Sequence, residues 1–468
     1  MLVVSTYELG HQPLSAATAT AALTGAGHLV RAADLAIGGL EPADVDWAEG
    51  LALSVPMHTA MRLALQVAGA VRQRRPGMAV CFFGLYAGTG AAAPIGAPAP
   101  AVVAGEYEDG LVAWAGGGDP GPAVQLSRGA SRLPQRSAWP ELGRYTHLAV
   151  AGELRPVGSV AASRGCSHRC RHCPVPVVYD GRVRTVDRDV VSADVDALVA
   201  AGARHVSFAD PDFLNAPRHA RRVLAAVHDR HPGLTFDLTV KVEHLLRHRD
   251  LLPELAGSGC AFVVSALESV DDSVLRVLRK GHTAAQASEA VVALRSLGVE
   301  LRPSWLPFTP WTTPESLVAM MDFVVAHDLV ANVDPVQYSV RLLLPEGSLL
   351  LGEATLAPHL GGYDPARLSW AWSHPDPGID ALQGDIAELV EARVGEPTER
   401  TFEEVEGLLR AYAGRRPGVE PPPRPAPGEV SAGPEGDRPH LTEAWFCCSE
   451  PTGAQLATLV PLSGPGGG

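Results

Sequence analysis

Three cysteines lie close together in the segment that reads RGCSHRCRHCP, with Cys166, Cys170 and Cys173 in a CxxxCxxC spacing. Thiolates are soft ligands that suit iron–sulfur clusters or zinc. A closed structural zinc site needs four ligands, and His168 or His172 could supply the fourth. Three thiolates on a 4Fe–4S cluster would instead leave one iron open for a substrate. The residue types therefore indicate a metal centre, with the cluster favoured and zinc as the alternative.

The CxxxCxxC spacing resembles that of the radical S-adenosylmethionine superfamily. The resemblance implies that Cys166, Cys170 and Cys173 hold a 4Fe–4S cluster whose open iron chelates S-adenosylmethionine. One electron, from a donor such as a flavodoxin or ferredoxin, would then cleave a carbon–sulfur bond and give a 5′-deoxyadenosyl radical. His172 stands where the family usually has an aromatic residue, which leaves the three cluster ligands unchanged.

Polar residues follow two of the strands that are predicted downstream of the cysteines. By the resemblance, Asp210 would receive the methionine amino group, while Glu268 and Ser269 would lie near the ribose and carboxylate of S-adenosylmethionine. Asp212 could take the role of Asp210 or could cap the following helix, as Asp often does. We therefore expect Asp210, Glu268 and Ser269 to bind the cofactor.

These residues need a scaffold that brings strand ends together, and residues 156–350 supply the pattern. Short apolar runs alternate with helical segments, and this alternation is typical of parallel β/α folds. Six such units predict an open, partial (β/α)6 TIM-type barrel whose active face lies at the carboxyl ends of its strands. The predicted strands are Ser159–Ser163, His205–Ala209, Leu234–Val240, Ala261–Leu267, Val299–Leu306 and Val336–Val340.

Residues 1–105 show a second alternating pattern, which predicts a doubly wound, Rossmann-like α/β domain. The predicted strands are Leu2–Ser5, Leu51–Val55 and Ala79–Gly84. Ligands bind such sheets beyond the carboxyl ends of the strands.

This arrangement of domains resembles the cobalamin-binding radical S-adenosylmethionine enzymes. Gly10, Gly84 and Gly88 would let a flat macrocycle approach the sheet, because glycine has no side chain in the way. The Asp-x-His-x-x-Gly motif, which supplies the lower ligand in many cobalamin modules, is absent. A degenerate domain that binds nothing is the alternative.

The remaining segments are a connector at 106–155, a helical region at 351–412 and a Pro/Gly-rich linker with a Cys-Cys tail at 413–468. A disulfide between the adjacent Cys447 and Cys448 would be strained and easily reduced. The ending resembles radical S-adenosylmethionine proteins named for a CUAEP or CCAEP tail, where U is selenocysteine. We expect a catalytic role for both cysteines, and a buried structural pair is the alternative.

Composition narrows the function classes. The net charge of −14 argues against nucleic acid as a partner, because nucleic-acid binding needs a basic surface. The sequence has no long apolar run and no secretory signal pattern, so we expect a cytoplasmic protein with no membrane partner. The substrate, a small molecule or a peptide, is not identified by the sequence.

Three functions fit this set of features. The leading expectation is a radical enzyme that acts as a cobalamin-dependent methyltransferase. The second is a cobalamin-independent radical enzyme for rearrangement, thiolation or cross-linking, and the third is a non-catalytic iron–sulfur or zinc module that senses redox state.

Overall fold

The computed structural model describes residues 1–90, 95–415 and 438–443. The N-terminal elements are β1 (Leu2–Ser5), α1 (Leu14–Gly25), β2 (Arg31–Asp34), α2 (Pro42–Trp47), β3 (Gly50–Ser54), α3 (His58–Arg74), β4 (Ala79–Phe83), β5 (Ala101–Gly105), α4 (Glu108–Ala115) and β6 (Val124–Gln125). The strands form one parallel sheet in the order β2-β1-β3-β4-β5-β6. Its central strands β1 and β3 are buried throughout, because helices cover both faces. The three strands predicted here are each observed within one residue at either end.

The middle of the chain forms a second, curved sheet. Its elements are β7 (His147–Val150), β8 (Glu153–Val160), β9 (Ser163–Gly165), α5 (Val175–Tyr179), β10 (Val183–Thr185), α6 (Arg188–Ala200), β11 (His205–Phe208), α7 (Pro217–Arg230), β12 (Thr235–Thr239), α8 (Val242–Arg247), α9 (Leu252–Gly257), β13 (Cys260–Glu268), α10 (Asp272–Leu278), α11 (Ala284–Arg295), β14 (Glu300–Trp305) and α12 (Pro314–Ala326). Strands β8, β11, β12, β13 and β14 are parallel neighbours and form a half-barrel. Four of the six predicted barrel strands are observed within one residue at either end, whereas the first, Ser159–Ser163, overlaps β8 only at Ser159 and Val160.

The sixth predicted strand, Val336–Val340, is wrong. Residues Pro335–Ser339 form a 3-10 helix instead. Pro335 has no backbone N–H to give to a ladder. The Gln337 side chain accepts the Trp305 N–H at 3.0 Å, a bond that a neighbouring strand would otherwise make. Only an isolated parallel bridge between Phe308 and Arg341 remains of the expected pairing.

The C-terminal elements are β15 (Leu360–Asp364), β16 (Ser369–Trp372), α13 (Pro377–Ala392), α14 (Thr398–Ala413) and β17 (His440–Leu441). The antiparallel hairpin of β15 and β16 lies in the region predicted to be helical. Helices α13 and α14 add residues such as Ile386 and Phe402 to the barrel core.

The last described segment joins the barrel sheet at its edge. Strand β17 pairs with β7, which itself runs antiparallel to β8. It therefore runs in the same direction as the parallel barrel strands, and Glu443, which follows it, lies toward their carboxyl ends. No helix in the described ranges is long and apolar enough to cross a membrane.

Candidate functional site

The three clustered cysteines lie in a loop that is closed at its base by a short hairpin. Strand β9 ends one residue before Cys166 and pairs antiparallel with β10. Gly165 in this hairpin has a φ of +73°, and a Cβ there would lie 2.3 Å from the Arg182 carbonyl oxygen, so the position requires glycine. The Arg171 N–H donates to the Leu278 carbonyl at 2.9 Å, which ties the loop to the end of α10.

The arrangement of the thiols bears on the choice between a cluster and a zinc site. Two thiolates on one tetrahedral zinc would lie about 3.8 Å apart, given a Zn–S bond of about 2.3 Å. Within the described ranges, one group of three possible metal ligands has atoms that all lie within 4.8 Å of one another. None of the cysteines belongs to that group. His172 Nε2 lies 3.1 Å from Glu268 Oε1, and His168 Nε2 lies 3.1 Å from His244 Nε2. The donor set therefore fits a larger cluster better than a single zinc ion.

A buried charge network lies beside the cysteine loop. Glu268 ends β13, and its Oε1 accepts from His172 Nε2 at 3.1 Å and from Lys280 Nζ at 3.2 Å. Burial opposes ionisation of Glu268, but the charges of Lys280 and His172 outweigh it and hold its pKa at about 2. Burial also lowers the pKa of Lys280, but Glu268 and the thiolates of Cys170 and Cys173 raise it above its ordinary value. A fixed positive charge therefore faces two of the cluster ligands.

Two of the predicted cofactor-binding residues, Asp210 after β11 and Ser269 after β13, accept hydrogen bonds from other groups of the protein. Asp210 accepts from the Ala162 N–H at 2.8 Å and from Ser163 Oγ at 2.5 Å, and burial raises its pKa to about 7. Ser269 Oγ accepts from the Asp271 N–H at 3.0 Å, just before α10. The roles of Asp210, Glu268 and Ser269 toward S-adenosylmethionine remain predictions.

Asp212 caps the 3-10 helix at Phe213–Asn215, where its carboxylate accepts the Leu214 N–H at 3.0 Å. This agrees with its alternative role as a helix cap. Sequence reasoning gave no role to Lys280, although the residue lies in an Arg-Lys-Gly-His stretch shortly after β13.

The three glycines predicted to face a macrocycle differ in their surroundings. A Cβ at Gly84 would lie 3.2 Å from the Val55 carbonyl carbon, and a Cβ at Gly10 would lie 2.8 Å from the Glu443 side chain. A Cβ at Gly88 would meet nothing within 4 Å. The space over Gly88 is thus open, whereas protein atoms fill the space at Gly84 and Gly10. Cys447 and Cys448 lie outside the described residues.

The two sheets meet at the cysteine loop. A small recess between them is lined by Tyr86, Thr89, His172, Cys173, Pro174, Val177, Pro345, Glu346 and Ser348. Tyr86 and Thr89 follow β4 of the N-terminal sheet, and Cys173 comes from the predicted cluster site. One hydrophobic core contains both Cys166, from the cysteine loop, and residues of β3 such as Leu53.

The middle of the chain matches the sequence model of a known protein family. Residues 160–324, which include all three cysteines and most of the half-barrel, match the Radical SAM superfamily. Residues 160–324 therefore match a radical SAM domain. The match agrees with the predicted superfamily for this segment of the chain.

Two curated relatives of the chain are distant. The hopanoid C-2 methylase of Rhodopseudomonas palustris is 22% identical over 173 residues, which cover 36% of this chain and 33% of the relative. The ribosomal protein uS12 methylthiotransferase RimO of Chloroherpeton thalassium is 28% identical over 217 residues, which cover 43% of this chain and 49% of the relative. The chain thus spans less than half the length of either relative.

Solved structures match more of the chain. The cobalamin-dependent S-adenosylmethionine radical enzyme OxsB with aqua-cobalamin bound has a TM-score of 0.62 and 14% identity, over 88% of this chain and 73% of OxsB. The radical S-adenosylmethionine methyltransferase TsrM from Kitasatospora setae, with tryptophan and a SAM analogue bound, has a TM-score of 0.59 and 17% identity, over 82% of this chain and 88% of TsrM. These matches confirm the predicted fold class, an N-terminal parallel sheet followed by a partial barrel.

Proposed function

We propose that this chain cleaves S-adenosylmethionine at a cluster on Cys166, Cys170 and Cys173, and that it is a cobalamin-dependent methyltransferase. The observation that carries the proposal is the recess between the two sheets, which is lined by Tyr86 and Thr89 as well as by Cys173. A cofactor bound at the strand ends of the first sheet would therefore lie next to the cluster loop.

The environment of the loop supports this chemistry. When bound, the cluster supplies the electron that cleaves S-adenosylmethionine. Lys280 balances part of the negative charge of the thiolates, and Glu268 fixes its ammonium group at 3.2 Å. Cys166 and Cys170 are buried, which keeps bulk water from two of the three ligands.

The similar proteins support the methyl-transfer part of the proposal. Both OxsB and TsrM are described as radical S-adenosylmethionine proteins, OxsB as cobalamin-dependent and TsrM as a methyltransferase. A hopanoid methylase is among the curated relatives. The open space over Gly88, after β4, is compatible with a macrocycle at these strand ends.

A second candidate is a radical enzyme without cobalamin. It is favoured by Gly10 and Gly84, since the Glu443 side chain and the Val55 backbone already occupy the space beside them. Either enzyme would need a one-electron donor of the flavodoxin or ferredoxin class, and we expect both to act in the cytoplasm. The substrate, whether a small molecule or a peptide, is open in either case.

Isotope-labelled cofactor separates the two candidates. The reconstituted protein would be loaded with hydroxocobalamin and supplied with S-adenosylmethionine that carries a deuterated methyl group. For a methyltransferase we expect both S-adenosylhomocysteine and 5′-deoxyadenosine, with the label found on bound cobalamin. Formation of 5′-deoxyadenosine alone, with unlabelled cobalamin or none retained, would favour the second candidate.

A further inference from the structure

A second set of possible metal ligands lies beside the cysteine loop. His168 belongs to the loop, Asp212 follows β11 and His244 lies on α8, so three separate segments bring them together. One ligand atom from each lies within 4.8 Å of the others. The side chain of Asp212 is fully buried, and those of His244 and His168 are 5% and 14% exposed.

The contact between Asp212 and His244 has an unusual geometry. Asp212 Oδ2 lies 2.8 Å from His244 Nδ1, yet neither atom has a hydrogen-bond partner in acceptable geometry. The other carboxylate oxygen is already used, because Oδ1 accepts the Leu214 N–H. Buried polar atoms are nearly always hydrogen-bonded, so this unpartnered pair requires an explanation.

Coordination of one ion by both atoms explains the contact. With metal–ligand bonds of about 2.0–2.1 Å, two ligand atoms 2.8 Å apart subtend an angle of about 85–90° at the ion. His168 Nε2 lies 3.8 Å from the same carboxylate oxygen and 3.1 Å from His244 Nε2, and it can supply a third ligand when it gives up the contact with His244. Glu243 Oε2 lies 3.5 Å from His168 Nδ1, as a carboxylate often does behind a metal-bound imidazole. The nearby cation Lys241 is paired with the same Glu243 oxygen at 3.7 Å.

We propose that His168, Asp212 and His244 bind a divalent transition-metal ion at a site separate from the cysteine cluster. Two imidazoles and one carboxylate suit Zn²⁺ or Fe²⁺. Three protein ligands leave at least one coordination position open. The ion joins the cysteine loop to the segment after β11 and to α8.

The test uses the full-length chain with its cluster reconstituted anaerobically and with Zn²⁺ as the probe. After incubation and desalting, we expect about one zinc per chain in addition to the iron. The X-ray absorption spectrum at the zinc edge should show nitrogen and oxygen neighbours at about 2.0 Å and no sulfur at about 2.3 Å. This spectrum needs no variant, so it tests the proposal even where a substitution impairs folding.

Variants assign the zinc to the site. Asp212→Asn and His244→Gln should each weaken zinc binding at least tenfold. The His244→Gln variant should keep its iron content and its formation of 5′-deoxyadenosine. The matched control is His248→Gln, whose ring centroid lies 5.6 Å from that of His244 and which should retain zinc. The proposal is overturned by a wild-type protein that retains no zinc, by sulfur in the zinc shell, or by equal zinc binding in all three variants. Cleavage of S-adenosylmethionine is measured separately, so loss of the zinc site does not count against the proposed function.

Discussion

Replacing Lys280 with methionine should destabilise the barrel strongly, because Glu268 would lose its principal counter-charge in a buried site. Lys280 and Glu268 form an ion pair at 3.2 Å and both side chains are buried. The pKa of Glu268 is about 2, against an ordinary value of 4.5. At about 1.36 kcal/mol per pKa unit, this difference corresponds to ~3 kcal/mol of stabilisation. The loss of one partner from a buried pair costs a similar amount, about 3–5 kcal/mol.

The pH of the assay follows from the direction of the pKa shift. A carboxyl group whose pKa is depressed in the folded state stabilises the protein above its unfolded pKa, and this contribution disappears as the pH falls toward the folded pKa. For Glu268 the contribution is complete above about pH 5 and is lost between 4.5 and about 2. Thermal unfolding should therefore be measured near pH 7.5, on protein with its cluster reconstituted.

A domain of about 200 residues shifts its melting temperature by about 2–4 °C per kcal/mol, so Lys280→Met should melt about 6–12 °C below the wild type. Arg221→Met is the control, since it breaks an ion pair with Glu254 that is about half exposed, and should melt close to the wild type. The double variant Glu268→Gln with Lys280→Met should recover more than half of the loss, because no unpaired charge remains. A single variant that melts within 2 °C of the wild type, or a double variant that melts lower than the single one, would refute the reasoning.

Three further predictions concern the tail, the first sheet and its cofactor. Serine at both Cys447 and Cys448 should leave iron content and cleavage of S-adenosylmethionine intact and reduce turnover of the true substrate; loss of iron, or turnover at the wild-type rate, would contradict a catalytic role. Gly84→Ala should lower the melting temperature more than Gly77→Ala. Both glycines have positive φ, but only at Gly84 would the new methyl group lie 3.2 Å from a backbone carbonyl, that of Val55. Equal melting temperatures of the two variants would contradict this prediction. The cob(II)alamin form of the loaded protein should show no nitrogen superhyperfine splitting from a protein ligand in its electron paramagnetic resonance spectrum, and such splitting would contradict the inference from the absent histidine motif.

Buried parallel strands could be predicted well from the sequence. Leu2–Ser5 is mostly apolar, His205–Phe208 mixes apolar and polar residues, and both strands are buried along their length. Val336–Val340 also mixes apolar and polar residues, but its structure depends on Pro335 and on a hydrogen bond to the Gln337 side chain, which the pattern does not reveal. Periodicity alone does not separate these two cases.

In the candidate site, features set by neighbouring residues could be predicted, whereas contacts between residues far apart in sequence could not. The cysteines could be predicted because their spacing is local. Glu268 meets His172 across 96 positions of sequence, and Tyr7 donates to Glu443 across 436 positions. Such pairs depend on the tertiary fold, so the charge network and the contact between Tyr7 and Glu443 could not be predicted from residue spacing.

The most direct test of the central claim is anaerobic reductive cleavage of S-adenosylmethionine. Reconstituted wild-type protein should contain about four irons per chain and should release 5′-deoxyadenosine when reduced. Alanine at Cys166, Cys170 or Cys173 should abolish both, whereas alanine at the buried Cys260, which lies in β13, should leave both intact. Stoichiometric zinc bound by sulfur, or 5′-deoxyadenosine from any of the three cluster variants, would contradict the account.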